Sequence, residues 1–242
     1  MKIVRDEKLI KRNGTIGQYT TLAALAVLGV GMYISLQRTD LFIWSLVALI
    51  SGFVMTQIGM YYTSRFGRSP RPDEQLDAAL KGLPGDTVMY HYVTPVSHLL
   101  VGAPGIWILE PRHQRGKVTY ERNRWRLRGG GFMQAYMSLF GQEGIGRPDI
   151  EIANDTNNLQ KFLAKRMEGQ EIPPIQAALV FTSEQAEVDA PEAPNPSLKI
   201  KQLKEFMRQR IKERSVGPLA LEQVKAALGG EVDEETAEEA DQ

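Results

Sequence analysis

The chain contains no cysteine in its 242 residues. Disulfides and thiolate metal sites are therefore excluded, which agrees with a reducing compartment without proving one. Several chemical motifs are missing as well. No glycine-rich loop ends in Lys-Ser or Lys-Thr, no HExxH or GxSxG occurs, and no GxGxxG falls between a strand-like and a helix-like stretch. P-loop nucleotide hydrolysis, zinc proteolysis and serine-esterase chemistry thus lack their usual machinery. Histidine is scarce, and His91, His98 and His113 sit on or beside strand-like stretches. Ordinary surface or strand positions outweigh a converging three-histidine metal site for them.

Charge is absent from two long stretches, Tyr19 to Leu36 and Leu41 to Tyr62, which only Gln37, Arg38, Thr39 and Asp40 separate. As helices they would cover about 27 Å and about 33 Å, against a hydrocarbon core of roughly 30 Å. They predict a membrane-spanning helical hairpin. A buried pair in a soluble domain would usually be shorter and carry a polar face, and a cleaved signal peptide would not be followed at once by a second span. Ala48, Gly52 and Thr56 recur every fourth position and would let the helices approach closely. Lys2, Arg5, Lys8, Lys11 and Arg12 precede the first run, Arg65, Arg68 and Arg71 follow the second, and the connection holds only Arg38. The positive-inside rule then places both termini in the cytoplasm, with the cell membrane as location and the lipid bilayer as first partner. Two spans without charge offer no polar pathway for a channel or transporter.

The formal net charge of zero is a cancellation, because Glu231, Asp233, Glu234, Glu235, Glu238, Glu239 and Asp241 crowd the last twelve residues. The expected organisation is a basic cytoplasmic arm over 1–18, the hairpin over 19–62, a Gly/Pro-punctuated linker over 63–72, one domain over 73–229 and an acidic disordered tail over 230–242.

Inside the domain, Asp73 is positioned to cap a helix running to about Lys81. Strand signals follow at 87–93, 98–101, 106–109, 118–121 and 125–127, with turns at Gly102-Ala103-Pro104-Gly105 and Arg122-Asn123-Arg124. The apolar stretch Phe132 to Phe140 reads as a lid, a membrane-surface helix or, first, a core helix. A helix over 149–167, a buried strand over 175–181, a surface loop over 183–197, an amphipathic basic helix over 198–214 and a last helix over 219–228 complete the pattern. The fold class is α/β, with one mixed sheet flanked by helices.

The stretch SHLLVGAPGIWILEPRHQRGKV, Ser97 to Val118, places two apolar strands around a tight turn, with Glu110 ending the second and Arg112 beyond it. It resembles the nuclease-related domain (NERD) family, whose core is similar to the restriction-endonuclease-like PD-(D/E)xK fold. Glu74 in DEQLDAALKGLPGD resembles the family's helical glutamate. Trp125, the helix after Pro148, the strand at 177–181 and the terminal Leu-rich helix fall in the expected order. The likeness covers about 71–229. It implies an aspartate and a glutamate holding Mg²⁺, with a lysine that helps activate water.

Here the pattern departs at two of three core positions, since Ser97 replaces the aspartate and Arg112 the lysine. Serine keeps an oxygen without the charge, and arginine is too basic to act as a base. Pro111 removes a ladder donor and suggests a distorted or edge strand. The expected site is Glu74, Ser97, Glu110 and Arg112, with Glu74 and Glu110 as metal ligands only if it is active. The plainer alternatives are an ion pair of Glu110 with Arg112 or Arg115, and for Glu74 a helix-start carboxylate. The leading expectation is a degenerate domain that binds or scaffolds without a cofactor, nucleic acid being its first ligand. Arg122, Arg124, Arg126 and Arg128 near one hairpin turn, and Lys201, Lys204 and Arg208 on the basic helix, are its candidate contacts. The alternatives are an active Mg²⁺-dependent nuclease and a protein-interaction module.

Overall fold

The computed structural model describes residues 1–67, 69–129, 144–167, 169–213 and 216–238. In chain order its elements are β1 (Lys2–Arg5), α1 (Glu7–Gln37), α2 (Phe42–Tyr62), α3 (Pro72–Leu80), β2 (Val88–His91), β3 (His98–Gly102), β4 (Gly105–Arg112), β5 (Gly116–Glu121), β6 (Arg124–Arg128), α4 (Pro148–Arg166), β7 (Ile175–Phe181), β8 (Ala186–Asp189), β9 (Ser197–Lys199), α5 (Ile200–Glu213) and α6 (Pro218–Glu238). They form two units. One is Glu7–Glu74, and the other joins Met1–Asp6 to Gln75–Gln242.

In the first unit, α1 and α2 are each long and apolar enough to cross a membrane. Leu22, Leu25, Met32, Leu36, Phe42, Ile43 and Trp44 stay exposed on the pair, which a soluble core helix would bury. Glycine sets how near the helices come. A side chain on Gly52 would collide with Leu28 at 2.6 Å, and one on Gly59 with Thr21 at 2.5 Å, so these positions seat bulkier residues of the facing helix. α1 begins at Glu7, well before the apolar run, so that Lys8, Lys11 and Arg12 ride on the same helix.

The second unit is built on a six-stranded mixed sheet of order β1-β2-β3-β4-β7-β9 and a three-stranded sheet of order β6-β5-β8. β2 and β4 each pair antiparallel with β3 between them, whereas β7 runs parallel to β4 and β1 parallel to β2. The central strands are apolar at nearly every position because both faces are covered. Leu99, Val101, Ile106, Ile108, Leu179 and Phe181 join one core with Leu159 and Leu163 of α4, Val224 and Leu228 of α6, and Val118 of β5. Their alternates, Leu100, Trp107, Leu109, Ala178 and Val180, join another with Leu76 and Leu80 of α3 and Leu203 and Met207 of α5. The result is a layered α/β arrangement, helices on either face of the larger sheet.

Four expectations are corrected. Within the expected basic arm over 1–18, Lys2–Arg5 is a strand in register with Val88–His91 and α1 begins at Glu7. Among the described residues there are two sheets rather than one, as β5 pairs with β6 on one side and β8 on the other and not with β4. The loop expected over 183–197 contains β8, where Ala186 is buried and Val188 packs against the core despite the acidic neighbours. The last helix does not stop at Gly229-Gly230 but continues to Glu238 across the start of the expected disordered tail. Phe132 to Phe140 lies outside the described residues.

Candidate functional site

Glu110 and Arg112 sit two residues apart on β4, hence on one face, the face covered by α4. Arg112 reaches Glu110 at 3.3 Å and Glu151, in the first turn of α4, at 2.5 Å. Its backbone carbonyl accepts the N–H of Thr182 at 2.8 Å, which fixes the strand end beside β7. The pairing of β3 with β4 extends only to Leu99 and Ile108, so Pro111 lies where β4 retains β7 alone, as an edge residue would. Continued past its end, that register would align Ser97 with Glu110. Ser97 is half-buried, and its carbonyl accepts from the N–H of Tyr92 at 3.0 Å.

Glu74 belongs to the other unit. One of its oxygens accepts the backbone N–H of Arg71 at 2.9 Å and the Ser69 hydroxyl at 2.8 Å, and the other lies 3.1 Å from the Arg71 guanidinium. These bonds, the Arg71 N–H first, hold its carboxyl below the ordinary value. This is a helix-start carboxylate reaching back to satisfy an orphan donor. Asp73, expected in that role, is buried and pairs with Arg71 instead.

Mg²⁺, which the nuclease resemblance implies, does not fit these residues. Glu74 and Glu110 are each held by an arginine of their own, and among the described residues no group of three or more His, Asp or Glu side chains could hold a metal ion. His113 is exposed after β4, so the three histidines do not converge.

The other two histidines do meet, and sequence reasoning missed their partners. His91 and His98 are directly opposite on β2 and β3, with their Nδ1 atoms 2.8 Å apart. His91 Nε2 is 3.0 Å from Asp77 of α3, whose second carboxylate oxygen takes Arg5 of β1. The tautomer in which His91 donates from Nε2 to Asp77 leaves its Nδ1 to accept from Nδ1–H of His98. Both rings are buried. The signal in the sequence was phase alone, for His91 follows Met89 and His98 precedes Leu100 on one face.

The candidate nucleic-acid contacts divide. On α5, Lys201 is 2.6 Å from Glu184, Arg208 is 3.9 Å from Glu205, and Lys204 is half-buried against Gly82. On β6, Trp125 and Leu127 pack inward while Arg124, Arg126 and Arg128 line the exposed face. Arg122 and Asn123, at φ 52° and 59°, form the two-residue turn that begins this strand. Arg126 lies 4.0 Å from Glu121, and Lys117, beside Arg128 in register, lies 3.3 Å from Asp189. Among the described residues Arg122, Arg124 and Arg128 have no carboxylate partner. No family model matches this chain, and no curated protein or solved structure matches it either.

Proposed function

We propose that this protein is a two-span membrane protein that displays a catalytically degenerate, NERD-like domain at the cytoplasmic face, where it binds nucleic acid as a docking or scaffolding surface. The observation that carries this reading is the exposed face of β6, with Arg124, Arg126 and Arg128 at alternate positions and Arg122 at the adjoining turn. Alternate strand residues are about 6.7 Å apart, so the stripe can meet several phosphates of one strand. Trp125 and Tyr120 meet edge to face on the opposite face of the strand pair, away from the arginines, and offer no platform for bases beside them. Binding is therefore expected to follow phosphate charge with little sequence preference.

The restriction-endonuclease-like reading is supported by the succession of α3, antiparallel β2 to β4, α4 and a strand parallel to β4. The loss of activity is supported by Arg112, which engages both nearby carboxylates. A cytoplasmic location of the domain is supported by the basic flanks, and an even number of crossings by β1, since residues before and after the hairpin share one sheet.

The test is binding of the full chain, in detergent micelles, to labelled single- and double-stranded DNA and RNA across a salt series. Replacing Arg124 and Arg128 by Gln should weaken binding to all sequences alike and lower the salt slope by about one to two. Absence of binding at low salt, or an unchanged slope in the variant, would defeat the reading.

A further inference from the structure

We infer that Arg112 is the resident cation of the nuclease-like site: its guanidinium occupies the position a divalent metal would need, and the domain is independent of metal as a consequence. The inference rests on the nuclease-like reading of the domain. Its basis is charge and reach. Glu110 projects from β4 and Glu151 from α4, and Arg112 is within 3.3 Å of the first and 2.5 Å of the second. The side chains of Arg112 and Glu110 are only 13% and 14% exposed, so water screens their charges weakly. A guanidinium carries its charge at every ordinary pH and presents several donors in a plane, which suits two carboxylates on different elements.

The backbone supports the same assignment. Thr182 donates to the Arg112 carbonyl from both its backbone N–H and its hydroxyl, at 2.8 and 3.3 Å, so the residue is anchored at the end of β4 beside β7. Two carboxylates bridged by one cation form an arrangement that either an arginine or a hard divalent ion can fill, but not both at once. Removing the arginine's charge should open the place to the ion.

The experiment measures Mn²⁺ binding and thermal unfolding of the full chain in detergent. In the unaltered protein, neither chelator nor millimolar Mn²⁺ should shift the melting temperature, and no saturable site should appear. Arg112→Met keeps a stem to pack and loses the charge. It should acquire a saturable Mn²⁺ site that raises its melting temperature by several degrees, on the order of 5 °C, and adding Glu110→Gln should abolish that gain. If Arg112→Met folds only when Mn²⁺ is supplied, the inference stands. Saturable Mn²⁺ binding in the unaltered protein that Glu110→Gln removes would overturn it. So would an Arg112→Met protein that folds without gaining a site, or one that no divalent ion rescues. Nucleic-acid binding reads the β6 face instead, so failure there leaves this result separately legible.

Discussion

Arg5 lies four residues from the start of the chain, yet only a fifth of its side chain is exposed. It is the outer member of a chain of contacts through Asp77 and His91 to His98 that spans three neighbouring strands under α3. Replacing Arg5 by Ala would take from Asp77 its guanidinium partner in a mostly buried place, leaving His91 beside it. A loss of about 1–3 kcal/mol is expected, with Arg5→Lys between the two, measured by denaturant unfolding. A second residue has a defined pH signature. Burial raises the Tyr90 phenol from 10 to about 12. Unfolding would let it ionise nearer 10, so its contribution is complete below about pH 10 and disappears as pH rises to about 12. Melting curves across that window should fall in the unaltered protein, and part of the fall should be missing in Tyr90→Phe.

The elements divide by how local their causes are. The hairpin helices, the meander β2 to β4, the β5–β6 turn and α4 follow from apolar runs, alternation and turn residues within a few positions, and the sequence alone predicts them. β1 and β8 do not, because four-residue strands beside charged residues acquire their identity from a distant partner, β2 and β5 respectively. The site shows the same division. The Glu110–Arg112 pair follows from spacing on one strand, but Glu151 and Asp77 enter from helices whose packing no local pattern specifies. The placement of β1 has an experimental consequence. Deleting residues 1–74 removes a strand and Arg5 together, whereas joining Asp6 to Gln75 by a short Gly/Ser linker keeps both. The linked protein is expected to be folded and soluble, with cooperative unfolding, and the truncated one to be several degrees less stable or aggregated. Equal stability of the two would show that β1 contributes nothing to the domain.

At the scale of the molecule, a helical hairpin with two uncharged apolar runs is an insertion in the chain of a layered α/β domain, after its first strand. On the proposed function, anchoring and binding would fall to different surfaces. The apolar helices are long enough for a bilayer, Glu110 and Glu151 are engaged by Arg112, and Arg124 and Arg128 of β6 have no carboxylate partner among the described residues. If the domain binds nucleic acid as proposed, such a division would favour retention of a phosphate polymer over its hydrolysis. The decisive measurement incubates the full chain in lipid nanodiscs with labelled single- and double-stranded DNA and RNA, with and without Mg²⁺ or Mn²⁺, and follows retention and strand length together. Nucleic acid retained at low salt, released as salt rises and left uncut with either metal is the expected result. Metal-dependent cleavage abolished by Glu110→Ala would contradict it.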